Sequence, residues 1–265
     1  MLVIGKTKGE LRKMDERINE LIEILKKDSG LFGNMLYKNL MCVENVRSNF
    51  NEEDLKRLYI AFVLISNKKG FGLEEFEKST ELLMKSPKLD GAIVNFKNAY
   101  EKEEWLQIEQ QSQEVYPYKL YMSIDNSDLC YVATKIIQEC LKRNRYDFSF
   151  KVNLKESVNR RDNLVIYCTE ENLQFFYNIL KLSSHKAKVN GPHLLGYNLG
   201  NNIYGGNDFE NGTVSYSEKI CDEFYEQLCN SVSPENIAIN FYSNLYNDDM
   251  INIIENGTLK QNKSK

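Results

Sequence analysis

Cationic side chains lie in or beside segments that have the pattern of strands. Lys151 occurs inside the apolar run FSFKV, and Lys119 and Tyr121 alternate with apolar residues in YKLYM. Arg160 and Arg161 directly precede a third apolar run, LVIYC. Lysines and arginines together are suited to bind a phosphate group, and partial removal of a lysine from water disfavours its charged form.

The environment of Lys151 decides between two interpretations. Its neighbours Phe148, Phe150 and Val152 are expected to remove the ammonium partly from water or to make it snorkel to the edge of the strand. The alternative is a solvent-facing lysine beside an arginine pair in a surface turn, because a strand with period two places such side chains outward.

The segments that carry these residues alternate between strand and helix after Pro117. The runs YKLYMSID and FSFKVN predict strands, and the continuous apolar run NLVIYCT predicts a central strand buried on both faces. Helical spacing predicts helices from Ser127, as the cap residue, to residue 144 and over residues 170–182. A glycine-rich segment over residues 189–216 predicts a long irregular loop, and a helix capped by Ser217 follows it to Cys229.

The first part of the chain predicts helices only. Apolar residues recur at three and four over residues 10–27, and further helices are expected over 34–46, over 54–65 and after Gly72. We therefore predict an α+β protein with a helical region over residues 1–115 and a domain over residues 116–265. That domain would hold a small mixed or antiparallel sheet, packed helices and the glycine-rich loop.

Composition excludes several classes of function. The formal net charge of -4 gives no general attraction to nucleic acid or to an anionic membrane. The apolar run that opens the sequence is too short for a signal peptide or a membrane span. We expect a cytoplasmic protein with no nucleic-acid or membrane partner. Six cysteines without a CxxC pair and two histidines predict free thiols and no metal site, and no cofactor is expected.

The succession KxY, a helix, FxFKV and RRDNLVIY resembles the HopA-type family. That family includes type III effectors of plant pathogens and the lyases of class V lanthipeptide and thioamitide biosynthesis, which resemble bacterial phosphothreonine lyases. The glycine-rich loop, with GPHL at 191–194 and SY at 215–216, is similar to its later motifs. The resemblance covers residues 118–228.

The resemblance implies elimination of phosphate from phosphoserine or phosphothreonine in a precursor peptide, without metal or cofactor. Lys151 matches the base, and Tyr121 stands where the phosphothreonine lyases carry a histidine acid, so His193 is a second candidate for the proton donor. The phosphate would be held by the remaining cations and a pocket tyrosine, which are Arg160, Arg161, Lys119, Lys219 and Tyr167. Lys219 replaces an arginine of the family pattern, without its bidentate geometry.

Two hypotheses follow. The first is a phosphoserine and phosphothreonine lyase that works beside a separate kinase, because this chain has no kinase motif. The second is a noncatalytic, effector-like module that binds a protein or a phosphopeptide through the same cleft.

Overall fold

The computed structural model describes residues 8–28, 33–43, 58, 74, 78, 105–110, 116–143, 148–153, 159–207, 215–245 and 248–257. The helices predicted over 54–65 and after Gly72 therefore lie outside the described residues, apart from three single positions. None of the described helices combines the length and the apolar character needed to cross a membrane.

The described helices are α1 (Lys8–Asp28), α2 (Gly33–Met41), α3 (Asn126–Lys142), α4 (Glu170–Ser184), α5 (Tyr216–Cys229), α6 (Pro234–Asn244) and α7 (Asp248–Asn256). The described strands are β1 (Cys42–Val43), β2 (Leu106–Gln110), β3 (Tyr118–Met122), β4 (Phe148–Val152), β5 (Asn159–Arg160), β6 (Leu164–Cys168), β7 (Tyr197–Asn198) and β8 (Tyr204–Asn207).

Six of these strands form one sheet, in the order β2-β4-β6-β3-β8-β7, and every neighbouring pair is antiparallel. The α+β fold and the antiparallel sheet agree with the prediction. Strand β6 lies between β4 and β3, so its continuous apolar run does mark an interior strand. Strand β2 comes from the N-terminal side of the predicted boundary at residue 115 and forms one edge of the same sheet.

Each face of the sheet contributes to a different core. Because side chains alternate along a strand, Leu120, Phe150 and Ile166 lie on one face, where they pack with α3 and α4. The opposite face carries Tyr121 and Val165, which belong to a second cluster with residues of α1, α2, α5 and α6. The helices of the N-terminal part thus cover the face of the sheet that carries the lysines.

Two features of the glycine-rich segment differ from the prediction. It contains the short antiparallel hairpin of β7 and β8, because Asn201 and Asn202 adopt positive φ in the turn and allow the chain to reverse. The helix after it is capped by Ser215 rather than Ser217. The Ser215 hydroxyl accepts a hydrogen bond from the Glu218 backbone, and the Glu218 carboxylate accepts one in return from the Ser215 backbone.

The cap of α3 also lies earlier than predicted. The Asp125 carboxylate accepts hydrogen bonds from the backbone and hydroxyl of Ser127, so the aspartate is the cap residue. Helices α6 and α7 were not predicted, although Ser233 followed by Pro234 is a sequence signal for the start of α6.

Candidate functional site

The registers of three strands place the predicted lysines on one face of the sheet. Lys119 on β3 and Ser149 on β4 are both paired with Tyr167 on β6. Lys151 on β4 is paired with Val165, which is in turn paired with Tyr121. Residues paired directly across strands point to the same face, so these side chains form two neighbouring rows.

Aromatic rings, rather than the neighbouring phenylalanines, surround Lys151. Phe148 and Phe150 belong to the core on the opposite face, so the expectation that they desolvate Lys151 is wrong. The Lys151 Nζ lies 4.5 Å from the centroid of the Trp105 ring and 5.9 Å from that of Tyr167. Strand alternation gives the reason: residues next to each other in a strand face opposite sides.

The electrostatics of the site lower the pKa of Lys151. Burial is the largest cause, followed by repulsion from Lys119 and, to a smaller extent, from Arg160. Asp162 and Glu218 act in the opposite direction. Lys151 is half-buried, and the net effect is that its ammonium loses a proton more easily than that of a lysine in water.

Lys119 lies in the next row of the same face. It is buried, and its Nζ is 5.1 Å from the centroid of the Tyr167 ring. Tyr167 therefore has a lysine ammonium near its ring from each of the two flanking strands. The ring is half-buried, and its predicted role as a pocket residue stays a prediction.

Arg160 is a buried cation that shares an aromatic ring with Lys151. Its guanidinium carbon lies 5.0 Å from the centroid of the Trp105 ring and 5.7 Å from that of Tyr37. Its Nε donates to a carboxylate oxygen of Asp162 at 2.9 Å, and its Nη2 donates to the Tyr37 hydroxyl at 3.1 Å. Burial lowers the pKa of Arg160, but the charge and hydrogen bond of Asp162 outweigh it and raise the pKa.

Several backbone contacts hold the turn that carries Arg160. Strand β1 pairs with β5, which brings Cys42 opposite Arg160. The Ser123 hydroxyl donates to the Arg160 carbonyl at 3.0 Å. At the end of the turn, the Asn163 side chain accepts from the Ile124 backbone N–H and donates to the Ile124 carbonyl. Ser123 and Asn163 thereby tie the backbone of Arg160 and of the turn after it to the segment that follows β3.

Arg161 is held by a different part of the molecule. Its guanidinium forms an ion pair with Glu20 of α1, and its Nη1 donates to the Pro192 carbonyl at 3.4 Å. The two adjacent arginines therefore contact different parts of the molecule. Arg160 contacts Trp105, and Arg161 contacts α1 and the loop before β7.

His193 is fully buried and stacks on Tyr121. The two rings are 4.5 Å apart at their centroids, and neither imidazole nitrogen has a hydrogen-bond partner among the described residues. Burial, reinforced by three nearby arginines against the charge of Asp162, lowers the pKa of His193 to about 3. The loop histidine is therefore neutral at pH 7 and sealed from solvent.

Arg17 of α1 holds the loop that carries His193. Its Nη2 donates to the carbonyls of His193, Leu194 and Gly196 at 2.7, 3.1 and 2.7 Å. Its guanidinium carbon lies 4.9 Å from the ring centroid of Tyr204, on the neighbouring strand β8. A single buried side chain from the N-terminal helix thus satisfies three loop carbonyls.

An acidic residue at the start of α5, Glu218, acts electrostatically on the site. The carboxylate of Glu218 influences the pKa of both Lys151 and Tyr37. The next residue, Lys219, is exposed on the surface of the helix, and its predicted role in binding phosphate stays a prediction.

Sequence reasoning did not identify Trp105 or Tyr37 as part of the site, and it assigned no role to Asp162 of the RRDN motif. Tyr37 and Trp105 come from the N-terminal region, for which only helices were predicted, and each lies far from the lysines along the chain. The one available signal was that Trp105 is the only tryptophan in the sequence. Among the described residues, no group of three or more histidine, cysteine or acidic side chains could hold a metal ion.

Comparisons with known proteins find similarity at the level of the fold. No protein-family model matches the chain, and no curated protein matches it. The effector protein from Pseudomonas syringae pv. syringae strain 61 is 11% identical, with a TM-score of 0.57 over 90% of this chain and 96% of that chain. The effector protein from Pseudomonas syringae pv. tomato strain DC3000 is 12% identical, with a TM-score of 0.52 over 86% of this chain and 98% of that chain. The chain therefore shares its fold with these effector proteins over most of its length.

Proposed function

We propose that this protein eliminates phosphate from phosphoserine or phosphothreonine in a peptide, with Lys151 as the base. The observation that carries the proposal is the placement of Lys151 on the same face as Lys119 and beside the same indole ring as Arg160. A half-buried amine with a lowered pKa next to two further cations matches what this elimination requires.

In the proposed step the Cα–H and Cβ–O bonds break, the Cα–Cβ bond becomes a double bond, Lys151 gains a proton, and the leaving phosphate gains a proton from the donor. The neutral amine of Lys151 takes the proton from Cα of the phosphorylated residue. The electrons of the C–H bond form the double bond between Cα and Cβ, and the bond from Cβ to oxygen breaks with its electrons on the leaving phosphate. Lys119 and Arg160 stabilise the charge that grows on the phosphate, and a proton donor completes the leaving group.

The proton donor is proposed to be Tyr121 rather than His193. Tyr121 lies in the same row of the sheet as Lys151. His193 is neutral at pH 7, so it is not an imidazolium that could donate a proton as a general acid. His193 would then act on the reaction only through Tyr121, by stacking on its ring. Arg161 is proposed to hold the loop and α1 in place through Pro192 and Glu20.

A mass measurement tests the reaction directly. The full chain is incubated with a phosphothreonine peptide and, separately, with a phosphoserine peptide. The proposal expects each peptide to lose the elements of phosphoric acid, and Lys151→Met to abolish that loss. Lys181→Met is the matched control, because Lys181 is an exposed lysine of α4. Unchanged peptide mass with the native chain would refute the proposal.

The pH dependence separates a base from a lysine that only binds phosphate. The elimination rate should rise with pH through the pKa of Lys151, because only the neutral amine accepts the proton. Lys119→Met removes the second largest cause that lowers this pKa. We therefore expect this variant to shift the rise of the rate to higher pH, a change that lost phosphate affinity alone does not produce.

A second candidate function is binding without chemistry, as in an effector-like module. Arg160 is already paired with Asp162 and Arg161 with Glu20, which leaves fewer charges for a substrate. The fold shared with two effector proteins is compatible with this role. Trp105 is the only tryptophan and lies against two cations of the site, so its fluorescence reports phosphopeptide binding. A fluorescence change with no change of peptide mass would favour this second function.

The biological substrate under the first function would be a precursor peptide phosphorylated by a separate kinase. Phosphorylation must precede elimination, and the sequence has no motif for it. A phosphorylated peptide and an unphosphorylated copy of it, compared in the fluorescence assay, would show whether the phosphate is recognised.

A further inference from the structure

A groove on the outer side of the helices α3 and α4 lies away from the lysine face of the sheet. It has a volume of about 460 Å³. Tyr131 and Lys135 of α3 and Arg143, which follows the end of α3, form one wall, and Phe175 and Ile179 of α4 form the other. Helices α3 and α4 pack on the core of the opposite face, so this groove is separate from the proposed reaction site.

Helix α4 carries a second apolar stripe in addition to the one that faces the sheet. Leu173, Phe176 and Leu180 are buried against the sheet. Phe175, Ile179 and Leu182 line the groove at a spacing of four and three residues, so they lie on one side of the helix. Ile179 is only 6% exposed and Phe175 is partly buried, so these two form the floor of the groove and Leu182 forms its exposed edge.

Leu182 is the most accessible member of this stripe, with 70% of the residue exposed. The core does not require a leucine at such a position. An apolar stripe with this spacing fits the apolar face of another helix laid along the groove.

The charged residues that line the groove indicate which charge a partner would carry. Lys135, Arg143 and Lys186 line it, against the two acidic residues Glu139 and Glu171. The Glu139 carboxylate also forms an ion pair with Lys142, whose Nζ lies 3.8 Å from Glu139 Oε1. The groove thus carries one more basic than acidic side chain, on a chain whose net charge is -4, and this local excess of positive charge favours an acidic partner.

We propose that the groove between α3 and α4 is a docking site for an acidic amphipathic helix of a protein partner. Apolar side chains of that helix would contact Phe175, Ile179 and Leu182, and its carboxylates would lie beside Lys135 and Lys186. The proposal does not depend on the chemistry at Lys151.

Binding of a designed peptide tests the proposal. The probe is a fluorescein-labelled helical peptide with leucines at the spacing of the groove stripe and glutamates beside them. Its partner probe has lysine at each glutamate position. Fluorescence anisotropy with the full chain should show saturable binding of the acidic probe, weaker binding of the basic probe, and loss of affinity as salt is raised.

Matched variants locate the bound peptide. Leu182→Glu should weaken binding of the acidic probe at least tenfold, by removing an apolar contact and adding a like charge, and Lys135→Glu should weaken it by a similar factor. Ile239→Glu is the control, since Ile239 is an exposed apolar residue of α6, outside the groove. Elimination or phosphopeptide binding at the lysine face should be the same in Leu182→Glu and in the native chain.

Three results would overturn the proposal. The first is no binding of the acidic probe, and the second is equal binding of the acidic and basic probes or equal affinity in Leu182→Glu. The third is a dimer of the native chain in sedimentation experiments that Leu182→Glu dissociates, which would show that a second copy occupies the groove.

Discussion

Acidification from pH 7.5 to pH 5 should destabilise this protein through one side chain, His193. Its pKa is lowered to about 3 by burial in the folded protein, against an ordinary value of 6.5. Above pH 6.5 the imidazole is neutral in both the folded and the unfolded chain, so its contribution to stability is fully present. As the pH falls below 6.5, the unfolded chain takes up a proton that the folded chain does not, and the contribution is lost.

The size of the loss follows from the two pKa values. At pH 5 the unfolded imidazole is almost entirely protonated and the folded one almost entirely neutral, which corresponds to about 2 kcal/mol of lost stability from this residue. The loss continues toward pH 3, where the folded histidine also begins to bind a proton. Carboxylates titrate there as well, so the interval from pH 7.5 to pH 5 isolates the histidine best.

Urea unfolding of three proteins at pH 7.5, 6 and 5 measures this effect. His193→Phe keeps a ring against Tyr121 and loses no hydrogen bond to the described residues, because both imidazole nitrogens lack a partner there. Between pH 7.5 and pH 5, the free energy of unfolding should fall by about 2 kcal/mol more in the native chain than in this variant. His185→Gln, at the exposed end of α4, should behave as the native chain. Equal losses in the native chain and in His193→Phe would show that the buried imidazole does not resist protonation.

Three further predictions concern stability and are measured by chemical unfolding at pH 7.5. Asp162→Asn should cost about 3 to 5 kcal/mol, because it leaves a buried guanidinium without its carboxylate. Arg17→Met should cost about 3 kcal/mol, because three loop carbonyls lose their donor; a cost below about 1 kcal/mol would mean that water replaces it. Gly206→Ala should cost about 1 to 3 kcal/mol, because its new Cβ would lie 2.8 Å from the Tyr121 ring, whereas Gly191→Ala, whose nearest neighbour is 4.0 Å away, should be close to neutral.

The strands at the centre of the sheet could be predicted because their signal is local. Alternation in YKLYM and the continuous apolar run of LVIYC identify β3 and the interior strand β6 without any knowledge of their neighbours. The same rule also implies that Lys151 faces away from Phe148 and Phe150. The residues that surround its ammonium could not be predicted, since the Trp105 ring reaches Lys151 only in the folded chain.

Other features depend on contacts between distant segments. Strand β2, LQIEQ, has only two apolar residues and no strong strand pattern, and it is defined by its pairing with β4. His193 lies in a polar, glycine-rich sequence that leaves both exposure and burial open, and hydrogen bonds from Arg17 of α1 hold its loop in the interior. A local pattern carries no information about either contact.

The position of β2 at the edge of the sheet has a consequence for any shortened form of the protein. A chain that began at residue 116 would lack the five residues that pair with β4 from Leu106 to Gln110. The backbone N–H and C=O groups along that side of β4 would then have no partner strand, next to the apolar Phe148 and Phe150. Unprotected strands of this kind recruit strands from other molecules, so such a fragment should precipitate or form oligomers even if its remaining strands still pair.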